Sequence, residues 1–376
     1  MPQNQGETKK RVNRGLKSEI DLSALQHNLE VILRISGRRT VIGVVKADAY
    51  GHGAVQISRK LISKGVSQLA VAYTGEGIAL REAGIDSKII VLFDRSEISD
   101  YLAYDLTPVI CTTETAAVLS AEAKKSGKKV SVHLKIDTGM GRMGFLPEAA
   151  VDAATVISGL EGVSIEGLLS HFSEADSADH SFSTLQLETF FNTRKAIEDR
   201  TGLKLIAHMA SSAAILSMKG SLLDAVRPGL ALYGCSPVQG SHDLKAVMKV
   251  TARILCVRKV PSGTPVSYGR SYVTGRDSKI AVLPLGYADG YSRNFSNNAE
   301  VLVRGVRASV VGRVCMDLTM VDVTHIEDAS EGDEVVLLGR QGDNVITAAE
   351  LAARIGTVPY EILTSLGSRA IKEYVQ

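Results

Sequence analysis

The sequence predicts an α/β chain: a (β/α)8 barrel of the TIM type followed by a mainly antiparallel β domain. Three observations carry this expectation. Eight short apolar runs alternate with helix-like stretches between about residues 20 and 240. Beyond about residue 245 the texture changes to β-rich segments divided by Gly, Asp and Asn. With 376 residues, the chain is long enough for a large barrel plus a smaller domain.

The eight runs lie at 40–46, 68–73, 88–93, 107–111, 130–137, 163–171, 203–209 and 224–234. Most are continuous in apolar character, as parallel strands buried on both faces should be. Helix-like stretches follow at 113–126, 147–158 and 181–202. Strand-then-helix repetition is the barrel signature. The later strands are read at 250–260, 279–285, 299–305, 307–314 and 333–339, with a short helix at 347–355. The expected division is a disordered polar tail at 1–18, the barrel at 19–245 and the β domain at 246–376.

Composition narrows the function classes. Lys and Arg number 43 against 41 Asp and Glu, a net charge of +2, which points away from a nucleic-acid partner. The longest apolar runs fall far short of the ~20 residues a membrane span needs, so no membrane partner is expected. The polar, basic first 18 residues have no apolar core that would make them a secretory signal. Four cysteines, Cys111, Cys235, Cys256 and Cys315, are widely spaced without a CxxC pair, so neither a metal site nor a disulfide framework is expected. A reducing, cytoplasmic setting follows.

Barrel active sites gather where strands end. The first run ends in Lys46, then ADAYGHG; the fifth runs into DTGMGRMG; the sixth ends in His171; the seventh is followed by Ser211 and Ser212; the eighth carries Arg227, then Pro228 and Gly229. Polar and Gly-rich sequence thus collects at one rim. A partly desolvated lysine at Lys46 would have a lowered pKa and a nucleophilic amine. On the residues alone, a surface lysine at a strand end is the commoner reading.

The segment VVKADAYGHG, however, resembles the cofactor-attachment motif of the alanine racemases. HLKIDTGMGRMGF, VRPGLALYG, SYGRSY, LPLGYADGY, VGRVCMDLTMVDVT and PYEILTSL are similar to further blocks of that family, in the family's order, over roughly residues 20–375. The resemblance implies an isomerase that interconverts L- and D-alanine with pyridoxal 5′-phosphate (PLP) and supplies D-alanine for peptidoglycan. It also implies a homodimer in which the β domain completes the partner's active site.

Carried over residue by residue, the resemblance makes Lys46 the cofactor lysine and one base, and Tyr268 in VSYGRSY the base on the opposite face. A phenol is a poor base near neutrality unless neighbouring charge favours its anion. Arg227 matches the arginine facing the pyridine nitrogen. Being donor-only, it would keep that nitrogen unprotonated and weaken the ring as an electron sink. His171 supports this network. Tyr50, Ser212, Gly229, Leu230 and Tyr360 match phosphate contacts. Ser211 stands where many members carry Asn, which puts a contact near the cofactor's phenolic side in doubt. Arg142 matches the arginine for the substrate carboxylate, Lys135 a lysine that is carbamylated in many members, and Met316 with Asp317 the rest of the substrate pocket. Tyr287 resembles an entrance residue, and Cys315 lines the pocket.

Three other functions share parts of this pattern. A related amino-acid decarboxylase would share the lysine and the cofactor but is not expected to carry the SYGRSY tyrosine and the VRPGLALYG arginine. A racemase for serine or a broader amino-acid set differs only in the crowding of the Cβ pocket by Tyr360 and Met316, a soft discrimination. A non-enzymatic PLP carrier or regulator would need the barrel alone.

Overall fold

A computed structural model describes residues 15–37, 39–93, 98–240 and 242–376. The chain divides into two compact units, one of residues 21–247 with the last two residues, the other of residues 248–374 with the N-terminal segment.

The first unit is the closed barrel. After strand β1 (Lys17–Asp21) come β2 (Thr40–Val44), β3 (Gln68–Val71), β4 (Lys88–Val91), β5 (Thr107–Ile110), β6 (Val130–Lys135), β7 (Val163–Leu169), β8 (Ile206–Ser211) and β9 (Ala225–Arg227). β2 to β9 pair in sequence order, and β9 closes on β2 in parallel register, Thr40 against Ala225. Each expected run overlaps one of these strands, β8 extending two residues beyond its run of 203–209. The eighth barrel strand, β9, is the shortest, because Pro228 has no N–H to extend the ladder; its carbonyl accepts from the Val44 amide at 3.0 Å. Asp21 caps the helix Leu22–Ser36 by accepting from the Ser23 and Ala24 amides, and Gly37 ends it with φ 63°. Thr112 caps Thr113–Lys125 in the same way.

The second unit is a ten-stranded, mainly antiparallel sheet. The run expected at 250–260 is two strands, Met248–Arg253 and Cys256–Val260. Its helices are Ala348–Ile355 and Pro359–Arg369, the latter not foreseen.

The N-terminal boundary needs correcting. Residues 1–14 of the expected tail lie outside the described residues. Lys17 and Ser18, also assigned to that tail, instead sit in β1, which pairs antiparallel with Met248–Arg253 and so joins the β unit. Alternation explains it: Leu16, Ser18 and Ile20 are buried while Lys17 and Glu19 are exposed. Among the described residues no helix is long and apolar enough to cross a membrane.

Candidate active site

On the barrel unit the polar strand ends form one constellation. Lys46 opens the turn Lys46–Tyr50, immediately after Val45. Ala47, Asp48, Ala49 and Tyr50 all have φ between 52° and 55°, so the chain makes a left-handed helical turn without a glycine. That conformation disfavours L-residues by about 1–2 kcal/mol each, so other contacts must hold it. Backbone bonds supply some: the Ala49 amide donates to Val45 and the Gly51 amide to Ala47, at 2.8 and 2.9 Å. The Asp48 carboxylate accepts from the Ala54 amide at 2.7 Å.

Lys46, Lys135 and Arg142 converge on the ring of Phe93. The two Nζ atoms lie 5.5 Å and the guanidinium carbon 5.6 Å from its centroid. Burial, then the Arg142 charge, push the Lys46 amine below the usual lysine range and that of Lys135 down to about 8. Asp137 fixes the loop that carries Arg142, its carboxylate accepting from the Gly139, Met140, Gly141 and Arg142 amides.

Arg227 is buried. Nη1 donates to the His208 carbonyl at 2.6 Å and meets His208 Nδ1 at 2.8 Å. Nη2 donates to the Ser170 carbonyl at 2.7 Å and the Met209 carbonyl at 3.2 Å, and meets His171 Nδ1 at 3.3 Å. Nε makes none of these contacts. Because guanidinium only donates, His208 Nδ1 must accept, and His208 carries its proton on Nε2. That atom lies 2.7 Å from His133 Nδ1, which therefore accepts in turn. Burial is the first cause holding these rings neutral, with Arg227 adding to it: His133 falls to about 4, His171 to about 3, and His208 well below the usual range. Burial lowers Arg227 itself to about 10, so it stays charged near neutrality.

A cradle lies beside this group. Ser212 Oγ accepts from the Gly229 and Ala231 amides at 3.0 and 3.1 Å, leaving its proton to donate outward. The buried Leu230 amide has no acceptor among the described residues. Gly229 is needed for close approach, since a Cβ there would stand 2.4 Å from Tyr50 Oη. Hydroxyls, amides and four nearby cations make a donor set for phosphate and carboxylate oxygens. Ser211 is the last residue of β8, paired with Arg227 of β9, and shows no side-chain hydrogen bond at the helix it precedes.

On the β unit, Tyr268, Met316 and Asp317 line one hollow with Ser267 and Cys315. Ser267 has φ 66°, a strained value for a non-glycine, and its hydroxyl donates to the Arg313 carbonyl at 2.6 Å. Tyr268 is 71% exposed and Met316 53%. The Tyr287 amide donates to the Cys315 carbonyl, while the Met316 amide has no acceptor among the described residues. Tyr360 is half-exposed near the start of Pro359–Arg369. No cluster that could hold a metal ion occurs among the described residues.

Comparison with known proteins fits this arrangement. Residues 20–237 match the alanine racemase N-terminal domain, and residues 247–374 the alanine racemase C-terminal domain. The chain belongs to the alanine racemase family. It is 46% identical over 370 residues to the alanine racemase of Thermodesulfovibrio yellowstonii, covering 97% of this chain and 99% of that one. It superposes on the alanine racemase of Streptomyces lavendulae with a TM-score of 0.92 at 33% identity, covering 96% and 97% of the two chains. An alanine racemase from Bartonella henselae with covalently bound pyridoxal phosphate gives a TM-score of 0.87 at 30% identity, covering 96% and 99%. Membership in the alanine racemase family makes the chain an enzyme of the isomerase class, as the sequence led us to expect.

Sequence reading passed over Phe93, Glu76, His133 and His208. A histidine inside an otherwise apolar run was the available signal for the last two. Phe93 ends its run at the same rim as the other site residues.

Proposed function

We propose that the chain interconverts L- and D-alanine with pyridoxal 5′-phosphate, in the cytoplasm and for peptidoglycan synthesis. Lys46 holds the cofactor and serves as base on one face; Tyr268 serves on the other. What carries the reading is a half-buried lysine with a loosened proton, set beside an anion cradle and a donor-only arginine.

Ser212, Tyr50, Tyr360 and the amides of Gly229 and Leu230 would hold the phosphate, with Ser211 and His171 lining the cofactor. The cofactor supplies delocalisation of the charge left when the substrate loses its α-proton. Arg227 donates and has no proton-accepting atom, so it would leave the cofactor's ring nitrogen unprotonated and temper that delocalisation. Arg142 and the Met316 amide bind the substrate carboxylate, and Asp317 completes the pocket. Lys46 and Tyr268 take and return the α-proton from opposite sides, so neither has to swing around the substrate. The catalytic unit is a homodimer whose sites draw on both chains.

Mixing the purified protein and PLP with single enantiomers of a panel of amino acids tests the activity. Alanine should lose its optical activity fastest; a faster serine would replace the substrate assignment. Borohydride followed by peptide mapping should fix the cofactor on Lys46, and Lys46→Ala should remove that label. A label on another lysine would overturn the role of Lys46.

A further inference from the structure

The left-handed turn that presents Lys46 is held from outside by one carboxylate. Glu76 lies in the helix Thr74–Glu82 that follows β3. Its Oε1 accepts from the Ala47 amide at 2.6 Å, the peptide directly after Lys46. Its Oε2 accepts from the Ala72 and Tyr73 amides at 2.7 and 3.1 Å, where β3 ends. The ends of two neighbouring barrel strands are thus tied through a single side chain. Four consecutive non-glycine residues at positive φ have little reason to stay there unaided. A carboxylate taking three main-chain N–H groups is a charge-assisted clamp, stronger than neutral hydrogen bonds. Glu76 is also the one acid among the groups acting on the Lys46 charge, opposing Arg142 from the loop after β6 and Arg227 on β9. Lys135 of β6 shares the Phe93 ring with Lys46.

We infer that Glu76 is a positioning residue for Lys46, locking the left-handed turn that aims the lysine amine at the cofactor. The inference rests on the reading of Lys46 as the cofactor lysine. Glutamine in its place can accept at one atom only, and its amide hydrogens would face the Ala72 and Tyr73 donors or that of Ala47.

The test uses full-length holoenzyme carrying Glu76→Gln, alone or combined with Ala47→Gly or Ala79→Gly. Glycine adopts positive φ freely, so at position 47 it should relieve the turn. Position 79 lies in the ordinary right-handed helix and is the control. After equal dialysis, borohydride and peptide mapping give the cofactor retained on Lys46. Glu76→Gln should speed its loss about tenfold, the size expected for losing a charged hydrogen-bond partner. Ala47→Gly should restore most of the retention, and Ala79→Gly none. Retention equal to wild type in Glu76→Gln overturns the inference, as does equal rescue by both glycines or rescue by neither. Should Glu76→Gln alone fail to fold, recovery of folded, Lys46-labelled protein only with Ala47→Gly supports the clamp, and recovery with neither overturns it. Wild-type label away from Lys46 would sink the lysine assignment instead.

Discussion

Lys135 and Arg142 share the Phe93 ring, an arrangement two bare cations should resist. Burial, with Arg142 second, brings the Lys135 amine down to about 8, so a minor fraction is already uncharged just above neutrality, far more than for an ordinary lysine. An uncharged amine can attack carbon dioxide: the N–C bond forms, a proton leaves to solvent, and an anionic carbamate remains. That anion would relieve the repulsion and orient Arg142. We expect one protein-bound carbamate signal when the enzyme is equilibrated with carbon-13 bicarbonate, abolished by Lys135→Ala. Wild-type protein without that signal would leave Lys135 unmodified. At this scale the sequence placed Lys46 and Arg227 at strand ends and Arg142 in a Gly-rich loop, but their roles came from the family resemblance, since Lys46 by itself read more readily as a surface lysine. Glu76 and Phe93 were not legible, because their roles come from neighbours that only barrel closure brings near. Asp48 and Ala47 gave no hint of positive φ, a state usually flagged by glycine.

Among the elements, the barrel strands were legible because apolar runs between helix-like stretches have few other uses. β1 was missed because its five residues, KSEID, hold a single apolar side chain and look like polar tail. The helix Pro359–Arg369 was missed because PYEILTSL was read for its resemblance and not for its period. Three neighbouring strands also share a histidine system: buried His133 within β6, buried His208 within β8 and partly buried His171 just after β7. Gly167 of β7 makes room for it, since a Cβ there would lie 2.7 Å from His133 Nδ1. All three rings are held below the ordinary value of 6.5, two of them to about 4 and about 3. The unfolded chain therefore binds more protons than the folded one once the pH drops below that value. Their contribution to stability is present above it and fades as the pH falls through about 4 and then about 3. Thermal midpoints should fall over that window, and His133→Asn should flatten the slope. An equally steep fall in the variant would show that this ring does not couple folding to protons.

The whole molecule poses the question of how two sets of residues meet. Lys46, Arg142, His171 and Arg227 belong to the barrel unit, whereas Tyr268, Met316 and Asp317 belong to the β unit. Tyr268 and Met316 are exposed beside one hollow, and exposed apolar surface with polar neighbours is a common mark of a contact face. We propose that the partner chain in a two-fold dimer brings the second set to the first, making two equivalent sites from reciprocal contacts. Two inactive variants can test this together. Lys46→Ala and Tyr268→Phe are unfolded, mixed in equal amounts and refolded. Random pairing makes roughly half of the dimers mixed, and each mixed dimer has one site with both wild-type bases. Roughly a quarter of all sites should then work, well above either variant alone. If each site were built within one chain, every site would still lack one base. Mixed dimers verified by mass that regain no activity would refute the shared site.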